Sequence, residues 1–233
     1  MASLVLSCDH AVFAVPEWYR EKFRESEDLL ASPEGWDPGA LNLAQAFAMK
    51  THTPLAHGEV TRLLIDLSLA PDDPKRFSDH VESLTGEQRE KLHQRYFASY
   101  MDQQRERIRS GLRISPPVVH LSIHTFPRER DGMMVGTDIG VLFDPKRPAE
   151  KELASRWLTS LRAGAPELRF DLNRPRESTE NGLLAMLRQE FPDPEYIAVE
   201  LEVCQSFFLE GKPWRWDRIK KLLIETFPRD PAA

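Results

Sequence analysis

The sequence predicts an α/β fold: a three-layer sandwich with a mixed, mostly parallel sheet covered by helices on both faces. Two observations carry that expectation. Apolar runs of strand length alternate with segments of helical periodicity along the whole 233-residue chain. No internal repeat, low-complexity stretch or long linker interrupts the alternation, so residues 1–233 read as a single domain.

Taken in order, Leu4-Val5-Leu6 runs into Ser7-Cys8-Asp9-His10 and reads as a buried strand with a polar end. Residues 16–30 carry Trp18, Phe23, Leu29 and Leu30 among charges, a helix with Pro16 near its start. Asp37-Pro38-Gly39 opens a second helix over 40–49, with Asp37 as a possible cap. Residues 60–67, containing Leu63-Leu64-Ile65, read as another buried strand, and 70–85 as an exposed loop rich in Pro, Asp and Ser. Thr85 and Gln88 form a capping-box pattern for a long helix that ends at Gly111. Strands follow at 118–124 and 140–143, a helix at 149–161, a strand at 168–172, a helix at 181–191, a strand at 196–203 and a closing helix at 214–227.

Composition narrows the function classes. Hydrophobic residues make up 41% and charged residues 29%, the balance of an ordinary globular protein. A net charge of −6 argues against a broad nucleic-acid or anionic-membrane surface. The two cysteines, Cys8 and Cys204, lie in apolar runs and read as reduced core residues, not a disulfide framework. No window resembles a membrane span or a signal peptide, and a cytoplasmic location is expected.

In open α/β sheets, ligands collect beyond the carboxyl ends of the strands. Asp9-His10, Asp66, His124, and Glu200 with Glu202 stand at or near such ends. Two histidines with a carboxylate suffice for a metal site with an open position. A lone histidine after a strand is more often structural, and only convergence distinguishes the two. Alternation puts His120 on the same strand face as His124 but deeper, which reads as core. His52, His57, His80 and His93 read as solvated. There is no HExxH, paired CxxC, glycine-rich phosphate loop or GxSxG elbow, which removes the commonest nucleotide and serine-hydrolase readings. The Trp214-Arg215-Trp216 cluster is expected to pack on the core.

Several of these segments resemble one family. Cys8-Asp9-His10-Ala11 with Pro16 resembles the opening CEH…P motif of the N-formylglutamate amidohydrolases. Trp36-Asp37-Pro38-Gly39-Ala40 looks like its DxGA segment, and residues 61–67 are similar to its SRLLxDLNR segment. Residues 120–127 resemble HLSxHSFTP, 138–145 DIGxLYDP, Asn173 with Gly182 the NxPY…DG loop, and 200–203 the start of ELEVNQ. The resemblance runs from about residue 4 to about residue 208 and implies a zinc-carboxypeptidase-like fold.

It also implies roles. His10 and His124 fall on the family's histidines and would bind zinc with a carboxylate, Asp37 first and Asp9 second. Glu200 falls where a general base is expected, Arg62 where a substrate carboxylate is bound, and Asn173 and Asp66 beside the substrate. For Asp37 the helix cap stands as an equal alternative. The implied activity is metal-dependent cleavage of a small N-formyl or N-acyl amino acid. The sequence departs from the pattern at Ala11-Val12-Phe13, at Ser68-Leu69, at Arg176 in place of Tyr, and at Cys204 in place of Asn. Those departures point to a changed pocket, and they leave open an inactive relative that binds a small carboxylate or a protein partner. A peptidase acting on cell-wall or peptide substrates fits the architecture less well, for want of an export signal.

Overall fold

The computed structural model describes residues 2–130, 132–176 and 182–229. In chain order, β1 (Ser3–Cys8) is followed by a 3-10 turn (Glu17–Phe23), α1 (Glu27–Ala31), α2 (Ala40–Thr51) and β2 (Leu55–His57). Then come α3 (Gly86–Leu92), a π-helical turn (His93–Ala98), α4 (Ser99–Ile114), β3 (Val118–Phe126) and the small hairpin β4 (Glu129–Arg130) with β5 (Met133–Met134). The chain continues through β6 (Ile139–Leu142), α5 (Pro148–Gly164), β7 (Phe170–Leu172), α6 (Leu183–Glu190), β8 (Tyr196–Cys204), α7 (Ser206–Leu209) and α8 (Pro213–Thr226). The first residue of the helix expected at 181–191 lies outside the described residues.

The main sheet runs in the order β2-β1-β3-β8-β6-β7. Every neighbouring pair is parallel except β6 with β8, so the sheet is mixed and mostly parallel, as the alternation predicts. Its two faces carry separate cores. Leu6, Cys8, Leu121, Ile123, Val199 and Leu201 pack against α2, α5 and α8 through Phe47, Trp157 and Leu223. Val5, Val118, Tyr196 and Ala198 face the other way, toward Tyr100, Met101 and Ile108 of α4 and Leu187 of α6. Strand periodicity then decides the site: the even-numbered residues of β3 and β8 that share this second face are polar toward the carboxyl ends.

Four sequence expectations change. Residues 60–67 are buried, with Leu64 and Ile65 inaccessible to solvent, but they turn instead of pairing. Leu64 N donates to Thr61 O, Thr61 Oγ1 donates to Gly35 O, and Asp66 N donates to Arg76 O. A short apolar run reports burial and not conformation. The strand in this region is Leu55–His57, too short to show a period. The helix expected over 16–30 is instead a 3-10 turn and the short α1. The Trp214–Trp216 cluster splits: Trp216 is buried with its indole donating to Asn42 Oδ1, while Trp214 is exposed. His93 is half-buried, not solvated, with Nδ1 2.7 Å from Arg76 Nη2.

Cys8 and Cys204 are buried free thiols. His120 is a core residue as expected, with Nδ1 2.6 Å from Tyr196 Oη and Nε2 2.9 Å from Ser7 Oγ. Burial, with Arg188 and Arg107 nearby, pushes it down from 6.5 to about 3, so it stays neutral in the fold. The unfolded chain takes up that proton near 6.5. His120 therefore weakens the fold as pH falls from about 6.5 toward about 3, by at most about 1.4 kcal/mol per pH unit. Urea unfolding of His120→Gln at several pH values should show a flatter acid limb than wild type; an unchanged slope would refute this. No helix among the described residues is long and apolar enough to cross a membrane.

Candidate active site

The parallel strands β1, β3 and β8 end together, and the polar residues of the second face gather there. His10 follows β1, Asp37 precedes α2, and His124 lies near the end of β3. All three are buried, and ligand atoms of the three lie within 4.8 Å of one another. His124 Nδ1 is 2.9 Å from Asp37 Oδ2, and His10 Nδ1 is 3.5 Å from the same oxygen. The two rings meet edge to face, centroids 5.3 Å apart.

Asp37 is not the helix cap. Gly39 takes that position with φ 90°, and no side chain caps α2. The freed Asp37 carboxylate accepts a hydrogen bond from Arg62 Nη2 on Oδ1 and faces the histidines with Oδ2. Asp37 N donates to His10 O, which ties the two segments together.

The far sides of the rings are also held. His10 Nε2 donates to Asp66 Oδ1 at 2.8 Å, and Asp66 also accepts from Ser68 N and Oγ. His124 Nε2 is 3.1 Å from Ser122 Oγ and 3.7 Å from Asp9 Oδ2. Tyr100 Oη donates to the other Asp9 oxygen at 2.7 Å. A ring nitrogen backed by a carboxylate leaves its partner nitrogen oriented toward a shared point, the arrangement that supports metal-ligating histidines. His10 Nδ1 is buried and has no hydrogen-bond partner among the described residues. An orphaned buried acceptor beside a carboxylate oxygen and a second imidazole fits a divalent cation.

Electrostatics follow from the crowding. Burial and the Arg62 charge oppose a proton on His10, but Asp66 and Asp37 outweigh them and lift it from 6.5 to about 9. Burial likewise disfavours charge on His124, while the hydrogen bond to Asp37 and the charges of Asp37, Asp9 and Glu202 raise it. Burial works against ionised Asp37, yet Arg62 and the histidines hold it well below the usual carboxylate range.

The remaining expected residues are placed differently from one another. Arg62 is committed to Asp37 through Nη2, with its side chain 23% exposed. Asp66 holds His10 and Ser68 through Oδ1, with its side chain 15% exposed. Asn173 builds a turn: it has φ 51°, and its Oδ1 accepts from Phe143 N at 2.9 Å. Asp9 lies behind His124, not beside His10 Nδ1 and Asp37 Oδ2. Glu200 sits opposite Ser122, whereas Glu202 sits opposite His124, one pair nearer the rim. Sequence reasoning placed Glu202 among the strand-end carboxylates and Arg176 among the departures that change the pocket, but gave neither a role, and it did not single out Tyr100 or Ser122; nothing local would have found Tyr100, 91 residues from Asp9.

Fold and site together define a class: an α/β sandwich with a two-histidine, one-carboxylate set at the carboxyl rim of its parallel strands. The chain belongs to the N-formylglutamate amidohydrolase family, whose pattern it matches over residues 2–209. That family places it among hydrolases of amides. The fold is similar to that of gene product Atu2144 from Agrobacterium tumefaciens, with a TM-score of 0.80 and 24% identity over 98% of this chain and 90% of that one. It is also similar to N-formylglutamate amidohydrolase from Ralstonia eutropha JMP134, with a TM-score of 0.71 and 16% identity over 97% and 93% of the two chains. No curated protein matches the sequence significantly.

Proposed function

We propose that this chain is a metal-dependent amidohydrolase that cleaves the amide of an N-formyl or N-acyl amino acid, with His10, Asp37 and His124 as the ligands and zinc as the metal. The single observation that carries the reading is the meeting of His10 Nδ1 and His124 Nδ1 at Asp37 Oδ2, with the opposite ring nitrogens held by Asp66 and by Ser122 with Asp9. A bound divalent cation supplies a Lewis acid and brings the pKa of a water near neutrality.

The protein's own groups do the rest. A carboxylate of β8 takes the proton of the attacking water and returns it to the leaving nitrogen. The sequence points to Glu200 for this task; the strand register favours Glu202, which stands across from His124. Arg62 offsets the charge of Asp37, and its Nη1, without a partner among the described residues, suits a substrate carboxylate. Asn173 serves by shaping the loop that leads to Arg176. The substrate is a small molecule.

Two measurements test this reading. Chelator-treated protein is assayed on N-formyl-L-glutamate and a panel of N-formyl and N-acetyl amino acids, then reconstituted with one equivalent of zinc. Turnover restored by zinc is expected; hydrolysis indifferent to the chelator, or none with zinc bound, would overturn the proposal. Asp66→Asn should fold and lose about 10- to 100-fold in zinc affinity, because His10 loses the carboxylate that orients it. Competition against a chelating dye measures this, and an unchanged affinity would remove Asp66 from the site.

A further inference from the structure

The loop after β7 is built to carry one arginine to the carboxylates of β8. Asn173 turns the chain through its left-handed backbone and anchors it to Phe143 N. Arg174 O then passes so close to Gly140 that a Cβ there would lie 1.7 Å from it, so a glycine is required where the loop crosses β6. Gly140 is the register partner of Glu202. Arg176, two residues on, donates Nε to Glu202 Oε1 at 2.7 Å and Nη2 to Glu200 Oε2 at 2.6 Å.

This bridge changes what β8 offers. Glu200 and Glu202 share one face, and their side chains are only 6% and 5% exposed, while that of Arg176 is 28% exposed. Two like charges two residues apart and this deep are unfavourable without a shared cation. Glu202 Oε1 accepts from Arg176 Nε, so Oε2 is the oxygen that this bridge does not hold. Glu202 is also near enough to His124 and Arg62 to act on both through its charge.

We propose that Arg176 is a positioning residue that bridges Glu200 and Glu202, pinning one oxygen of Glu202 so that the other is presented to the ligand cluster as the base. A tyrosine, which the family pattern has here, cannot make that two-pronged contact. The inference rests on the hydrolase reading for its catalytic meaning, but the bridge is testable without it.

The full chain, zinc-loaded, is compared with Arg176→Gln and Arg176→Lys for zinc affinity, for kcat and KM on N-formyl-L-glutamate and the same N-acyl panel, and by crystallography. Arg176→Gln is expected to bind zinc about tenfold more tightly, because a neighbouring positive charge has gone. Its kcat should fall about 100-fold or more, with KM within about threefold. Arg176→Lys should restore the zinc affinity and only part of kcat, since an ammonium keeps the charge without the fork. A merely structural arginine would not leave zinc bound and KM steady while kcat falls. Unchanged zinc affinity, or a kcat that holds or rises, overturns the proposal. Should zinc-loaded wild type cleave nothing in the panel, the hydrolase reading fails by itself. Arg176 is then judged by zinc affinity and by the Glu202 carboxylate in the Arg176→Gln crystal structure, where an unmoved carboxylate rules the bridge out.

Discussion

Replacing His124 with alanine is expected to abolish zinc binding at the site, and amide hydrolysis with it, in a chain that still folds. His124 sits in the middle of the sheet on β3, but its ring contacts are polar: Asp37, Ser122, Asp9 and the ring of His10. Truncation leaves Asp37 Oδ2 and Ser122 Oγ short of a partner, at about 1–3 kcal/mol for a buried group, within the 5–15 kcal/mol that holds a typical domain. For the metal the loss is far larger. Changing a residue that only orients a ligand weakens binding by about 10- to 100-fold, and in the proposed site His124 is itself one of three ligands. Zinc titration, circular dichroism and turnover measured on the same preparation separate the two effects. A folded His124→Ala variant with full turnover would place the chemistry elsewhere.

The second large effect is expected at β8. Glu202→Gln keeps the shape and most of the hydrogen bonding but cannot take a proton, so kcat should fall by about 10²- to 10⁴-fold while zinc still binds. Glu200→Gln should have the smaller effect, because Glu200 pairs with Ser122 and Leu142 one step deeper in the sheet. Single-turnover kinetics on both variants with N-formyl-L-glutamate or the best N-acyl substrate decide between them. A greater loss in Glu200→Gln would return the base to the position the sequence motif indicates and defeat the register argument.

Much of the framework was legible because it rests on strong local periodicity. β3 and β8 announce themselves as apolar runs with polar ends, and the helices expected at 149–161 and 214–227 are found as α5 and α8. His10 and His124 were legible for the same reason: each stands where an apolar run meets polar residues, and a parallel sheet brings such ends together. Asp37 was ambiguous because Asp-Pro-Gly before a helix reads equally well as a cap, and only the turn of its carboxylate toward His124 separates the two. Residues 60–67 misled because burial, not pairing, is what their leucines encode. Asp66 thereby looked like a strand-end residue open to substrate, while its partner His10 lies 56 positions away. Tyr100 was invisible as a site residue, and Arg176 showed only as a departure without a role, for a related reason. Their roles depend on how α4 and the loop after β7 pack across the sheet, and no local pattern records that.

The most direct measurement is anomalous diffraction at the zinc edge from crystals of the chain equilibrated with one equivalent of zinc. One peak is expected, within bonding distance of His10 Nδ1, His124 Nδ1 and an Asp37 oxygen, with Asp66 still on His10 Nε2. A peak bound elsewhere, or none at these three residues, would contradict the metal centre on which the hydrolase reading stands.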